Sequence, residues 1–198
     1  MNIKTIAVFC GSHDGKQEAY VQAARSTGRT IAEAGLGLVY GGGKVGLMGA
    51  VADAALAAGG KVIGVMPRAL VAREIAHQGL SELREVASMH ERKHCIAEIA
   101  DAFVALPGGV GTFEEIFEQW AWAQLGIHEK PPGLLNVHGY FDPLLAMITR
   151  MVEQDFMDAR FAEMLLVDTE PLRLLQRFHA YQPPAKRWST PSVGELRP

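Results

Sequence analysis

Short, uninterrupted apolar runs alternate along this chain with longer stretches whose apolar residues recur every three or four positions. Ile6-Ala7-Val8-Phe9-Cys10 is the first such run. An apolar run without polar alternation is what a strand covered on both faces requires. After the turn Gly11-Ser12-His13-Asp14-Gly15, residues Gln17 to Ala34 carry Tyr20, Ala23, Ala24, Thr27, Ile31 and Ala34 at helical spacing, and Gly35 supplies a C-terminal stop. Leu36 to Tyr40 predicts a second strand and Leu47 to Ala58 an alanine-rich helix. Gly59-Gly60 ends that helix, and Lys61 to Met66 predicts a third strand.

The pattern then loosens. Pro67 to Gly79 reads as a loop with a short helix, and Leu83 to Val86 as a short strand. Regularity returns with a helix over Met89 to Ala100, a strand over Ala102 to Leu106 and a helix over Ile116 to Gln124. A strand at Gly133 to Val137 precedes a helix from Asp142-Pro143 to about Glu153. Met164 to Val167 predicts a short strand, and Pro171 to Tyr181 a last helix with proline in its first turn. Strands alternating with helices predict right-handed βαβ units, hence an α/β fold: a doubly wound parallel sheet with helices on both faces. A single domain over residues 1–181 is expected, with a flexible tail over 182–198, where prolines recur among polar residues.

Composition narrows this little. The 198 residues suffice for one substantial core. A formal net charge of -3 lacks the basic footprint of a general nucleic-acid binder. Two cysteines, Cys10 and Cys95, suggest reduced thiols rather than a disulfide framework. No run approaches a membrane span and no signal peptide is visible, so a cytoplasmic location is expected.

Candidate chemistry sits where glycines join a strand to a helix. Pro107-Gly108-Gly109-Val110-Gly111-Thr112-Phe113-Glu114-Glu115 follows an apolar strand and opens a helix. Glycines there let the backbone turn tightly and approach a ligand, and the first helical N–H groups make an anion socket. Thr112 and Glu115 also have the spacing of a capping box, with Thr as N-cap and Glu at the third helical position, which would give Glu115 a purely local task.

A second glycine loop, Gly41-Gly42-Gly43-Lys44-Val45-Gly46, formally fits the dinucleotide fingerprint. It follows the second strand rather than the first, and Asp53 comes too early to be the ribose-binding acid. The loop reads as a place where phosphate or ribose approaches, or as a turn that only packs. His90-Glu91-Arg92-Lys93-His94 matches the zinc-protease helix, but no third ligand is recognisable. Arg92 and Lys93 oppose the helix dipole, so they either point into water or face an anion.

These segments resemble the LOG ("Lonely guy") family of cytokinin riboside 5′-monophosphate phosphoribohydrolases. The resemblance rests on the Pro107–Glu115 stretch, on Phe9-Cys10-Gly11-Ser12, on Tyr40 to Gly49, on Arg73-Glu74, on Met89 to Lys93, and on Trp122 to His128. It implies a Rossmann-like homodimer that needs neither cofactor nor metal. The expected reaction is hydrolysis of the N-glycosidic bond of purine riboside 5′-monophosphates, AMP included, to free base and ribose 5-phosphate. The resemblance makes Arg92 and Glu115 the catalytic pair. It assigns substrate binding to Glu74, Met89, Lys93, Gly108, Gly109, Val110, Gly111 and Thr112, with Gly11, Ser12, Gly42 and Gly43 as further candidates. Ala121 departs from a threonine common in the family, and His94 from a small residue.

Two rival functions remain at this point. One is a nucleotide-binding or sensing module without catalysis. The other is the lysine decarboxylase label carried by similar sequences, which would need pyridoxal phosphate on a lysine.

Overall fold

A computed structural model describes residues 2–71 and 76–184. Its seven strands are β1 (Thr5–Phe9), β2 (Gly37–Tyr40), β3 (Val62–Pro67), β4 (Glu82–Val86), β5 (Ala102–Ala105), β6 (Pro132–Leu135) and β7 (Leu166–Asp168). They form one sheet, every pair parallel, in the order β4-β3-β2-β1-β5-β6-β7. The helices described are α1 (Glu18–Glu33), α2 (Gly46–Ala57), α3 (Arg68–Val71), α4 (Met89–Ile99), α5 (Val110–Gln124), α6 (Asp142–Glu153), α7 (Ala159–Ala162) and α8 (Pro171–Ala180). None of the described helices is long and apolar enough to cross a membrane. Residues 185–198, most of the expected tail, lie outside the described residues.

The apolar runs are continuous because both faces of the sheet are covered. Ile6, Val8 and Cys10 pack with Ala24, Ile31, Val51, Leu174 and Phe178, under α1, α2 and α8. The intervening Ala7 and Phe9 pack with Ile96, Ile116, Trp120 and Ile148, under α4, α5 and α6. The period of two in β1 is thus present, but both phases are apolar. Glycines let the layers approach closely. A Cβ on Gly28 of α1 would lie 2.1 Å from the Val51 carbonyl oxygen of α2.

Strand order reverses direction at β1. The chain winds from β1 outward to β2, β3 and β4, then returns to place β5 on the other side of β1. Loops leaving β1 and β5 therefore part at their carboxyl ends and open a crevice, which is where doubly wound sheets bind ligands.

Helix α5 departs from the sequence expectation. It begins at Val110, six residues ahead of the expected Ile116, and its N-cap is Gly109. Thr112 is then the third helical residue rather than the cap, so the Thr112–Glu115 capping box does not form. Half of such a box does begin α4, whose N-cap Ser88 accepts from the Glu91 N–H at 3.1 Å. Glu91 reaches back to the Ala87 N–H at 2.6 Å. Ser88-Met89-His90-Glu91 has the same spacing, and it is the copy that stands at a true helix start.

Candidate functional site

A cavity of about 620 Å³ opens at the crevice between β1 and β5. One wall is the β1–α1 loop, Gly11 to Gly15, and the other is Pro107 to Thr112 at the start of α5. Leu47 and Met48 of α2 and Arg92 of α4 close one side, while Tyr20 and Tyr140 close the other. Cys10 and Glu115 also line it.

Each wall is built locally before it is joined. The Gly11 N–H donates to the Pro107 carbonyl at 3.1 Å, tying the two loops together. Gly108 must be glycine, since a Cβ there would lie 2.1 Å from Thr112 Oγ1 and 2.8 Å from the Gly11 nitrogen. Gly109 and Gly111 differ. Neither has a positive φ, and a Cβ built on either meets nothing within 4 Å. No atom of the described residues requires glycine at these two positions, and both look onto open space. The Val110, Gly111 and Thr112 N–H groups belong to the first turn and have no intrahelical acceptor, so this end of α5 attracts anions.

Arg92 and Glu115 meet at the cavity wall. Arg92 Nη1 lies 3.0 Å from Glu115 Oε1, with both side chains close to nine-tenths buried. Arg92 Nε donates to the Val65 carbonyl of β3 at 3.1 Å. Its other terminal nitrogen lies against Gly41, where a Cβ would fall 2.0 Å away. The guanidinium is thus held on three sides by two strand ends and a carboxylate. Burial pushes the Glu115 carboxyl above the usual carboxylate range; the facing Arg92 opposes that shift without cancelling it. Burial, with Glu115 nearby, also raises the Cys10 thiol, which stays neutral.

Lys93 turns the other way. Its ammonium bonds Glu114, and Glu118 at 3.0 Å, bridging α4 to α5 outside the cavity wall. The Glu114 bond raises its pKa. An amine held charged between two carboxylates is the opposite of the deprotonated lysine that Schiff-base chemistry uses.

Among the other expected binding residues, Gly11, Ser12, Gly108, Gly109, Val110, Gly111 and Thr112 line the cavity. Met89 does not; it is half exposed, its sulfur 4.0 Å from Arg92 Nη1. Gly42 and Gly43 lie behind the wall. Gly42 has φ +79, and a Cβ on Gly43 would fall 2.7 Å from the Met48 methyl, so packing alone explains glycine there. Glu74 lies outside the described residues. The histidines of His90–His94 point outward: His94 pairs with Glu98 at 3.3 Å on the exposed face, and Glu91 serves the helix cap.

Sequence reasoning missed Tyr20, His13, Asp14 and Tyr140 as parts of this wall. His13 and Asp14 were within reach, because the loop after the first strand of a doubly wound sheet borders the crevice. Tyr140 had no sequence signal, since its place depends on β6 lying beside β5.

Known proteins resemble this chain over most of its length. Residues 48–178 match a family model described as "Possible lysine decarboxylase". Two Arabidopsis thaliana proteins, cytokinin riboside 5′-monophosphate phosphoribohydrolases LOG3 and LOG5, are 43% and 46% identical to this chain. The LOG3 match covers 98% of this chain and 90% of the relative; the LOG5 match covers 91% and 79%. The chain belongs to the LOG family of phosphoribohydrolases. The decarboxylase wording of the family model finds no support in the chemistry of Lys93. Among solved structures, the molybdenum cofactor carrier protein of Chlamydomonas reinhardtii aligns with a TM-score of 0.68 at 20% identity, over 91% of this chain and 100% of that one. TM1055 aligns with a TM-score of 0.70 at 22% identity, over 90% and 100%. At such identities these two matches show the shared fold.

Proposed function

We propose that this LOG-family protein hydrolyses the N-glycosidic bond of purine riboside 5′-monophosphates, cytokinin ribotides and AMP among them, releasing base and ribose 5-phosphate. The observation that carries this reading is the Arg92–Glu115 pair at 3.0 Å, in the wall of the same cavity as the amide end of α5. An anion socket beside a buried carboxylate suits a substrate with a phosphate at one end and developing positive charge near the other.

In this reading the first turn of α5, with Gly109 and Gly111 leaving space, takes the 5′-phosphate. The bond from the anomeric carbon to the purine nitrogen breaks with its electron pair going to the base, leaving an oxocarbenium-like sugar. The Glu115 carboxylate stabilises that charge and takes a proton from the attacking water, whose oxygen bonds the anomeric carbon. The proton ends on the departing base. Arg92 keeps Glu115 oriented and available as a carboxylate despite burial. Cys10, Met48 and Leu47 supply the apolar lining for the base.

A homodimer is part of the proposal. Met89, Val110, Leu125, Ile127 and Met147 are large apolar residues left exposed on α4, α5, α6 and the turn after α5, as a self-associating surface would have. A cytoplasmic location fits the two free thiols, Cys10 and Cys95.

The test is chromatography of products from AMP and isopentenyl-AMP incubated separately with wild-type protein and with Arg92→Ala and Glu115→Ala. Wild type is expected to release base from at least one substrate. Each variant should lose about 10³-fold or more in rate while keeping its circular dichroism spectrum. Nucleotide binding without base release by wild type would favour a sensing module instead. Near-normal release by either variant would remove the assigned roles.

A further inference from the structure

The stretch between β6 and α6 does more than connect them. It turns through two consecutive left-handed residues, His138 with φ 50 and Gly139 with φ 70. A left-handed histidine is strained, and such strain persists only where surrounding contacts over-determine it. Those contacts are present. The Asn136 side chain accepts from the Phe141 N–H at 2.8 Å and donates to Asp142 Oδ1 at 2.7 Å. The Asn136 N–H donates to the Asp168 carbonyl at 2.8 Å. Gly139 lies so close to Asp142 that a Cβ would fall 2.5 Å from Oδ2. The segment is a braced strut.

The strut delivers one side chain to the cavity, Tyr140. Its ring meets Phe141 and Tyr20 edge to face, at centroid distances of 5.1 and 5.8 Å. Its hydroxyl donates to the Gly108 carbonyl at 2.5 Å. The preceding carbonyl, of Pro107, is already taken by the Gly11 N–H. Two successive carbonyls of the glycine turn are therefore pinned from opposite sides of the crevice. A trans peptide is planar, so holding the Gly108 carbonyl also fixes the direction of the Gly109 N–H. Glycine peptides would otherwise rotate freely, having no Cβ to limit them.

We propose that Tyr140 is a positioning residue for the phosphate socket: by holding the Gly108 carbonyl it presets the Gly109 amide and the first turn of α5 for a sugar 5′-phosphate. This rests on the phosphoribohydrolase reading above. A preset donor saves the ligand the cost of ordering the loop, and the saving appears in ground-state affinity.

Tyr140→Phe tests it, because the ring and its packing stay and only the hydroxyl goes. Calorimetric titration is run with ribose 5-phosphate and, separately, with adenine, alongside steady-state kinetics on AMP. Loss of one such hydrogen bond should weaken ribose 5-phosphate binding roughly threefold to tenfold and raise KM for AMP equally. The adenine Kd and kcat should stay unchanged. Equal weakening of both ligands would show a merely structural role and overturn the assignment, as would no change in either. Wild-type protein that neither binds ribose 5-phosphate nor releases base would instead overturn the underlying reading. Wild type that does both, with an unaltered variant, would overturn the role of Tyr140 alone.

Discussion

Two stretches of this chain join a strand to a helix through clustered glycines, Gly41 to Gly46 after β2 and Gly108 to Gly111 after β5. By sequence they are near equivalents. In the fold the first is filled by protein: Arg92 lies against Gly41, the Met48 side chain against Gly43, and the Ser12 backbone against Gly46, which also has φ +61. The second is filled only at Gly108, while Gly109 and Gly111 look onto open space. A glycine is informative about a ligand when nothing in the protein explains it. The first loop reaches the cavity only indirectly, by making room for Arg92.

That difference can be broken experimentally. Gly41→Ala should displace the guanidinium and cost about 10²-fold in base release, the scale of losing one electrostatic partner. Gly46→Ala should cost about 2–3 kcal/mol of stability, because the added methyl meets backbone and the left-handed conformation is retained. Gly109→Ala should change stability by less than about 1 kcal/mol, yet raise KM for a riboside 5′-monophosphate. Denaturant titration and steady-state kinetics on the three variants would measure both. Comparable destabilisation by Gly46→Ala and Gly109→Ala would erase the distinction between the loops.

A finer test uses protons. Glu115 is held above the ordinary carboxylate range mainly by burial, with Arg92 pulling the other way. Because the proposed mechanism uses the carboxylate, kcat/KM should fall on the acid side at a higher pH than an unperturbed glutamate would give. Linkage gives the matching sign for stability. A carboxyl raised in the folded state favours folding below its unfolded pKa, and that contribution is lost as pH rises through the folded value. The stability of wild type relative to Glu115→Gln should therefore decline over that window. An acid limb at the ordinary glutamate value would contradict the burial of this group.

A last test lies away from the cavity. His128 packs against Phe103 and Trp122, and burial first, then Lys130, lowers it from 6.5 to about 4. A depressed folded pKa contributes stability above the unfolded value that is lost as pH falls toward the folded one. Wild type should lose stability between pH 6.5 and 4 more steeply than His128→Phe. Parallel denaturant midpoints for the two proteins across that range would refute it.

Much of the fold was legible. β1 was expected over Ile6–Cys10 and spans Thr5–Phe9; β4 was expected over Leu83–Val86 and spans Glu82–Val86. β1 announces itself because burial on two faces demands continuous apolar residues, whereas β4 is an edge strand with Arg84 and Glu85 exposed. The start of α5 at Val110 was read too late, because Gly109 and Gly111 read as breakers. A first turn needs no intrahelical acceptor for its N–H groups, so glycine serves there as cap and as clearance. α7 also escaped notice. It is held by tertiary contact, with Trp120 Nε1 donating to the Phe161 carbonyl at 2.8 Å.

Local pattern determined the alternation of strands and helices, the double coverage of the sheet, and the glycine turn from Pro107 that opens a helix. These follow from periodicity and backbone freedom, which act over a few residues. Tertiary structure decided that Arg92 meets Glu115, that one glycine loop faces the cavity while the other packs, and that Tyr140 reaches across to Gly108. Each of those contacts depends on strand order, with β5 beside β1 and β6 beside β5. Strand order is settled by which faces can be buried together, and no short stretch of this sequence carries that information.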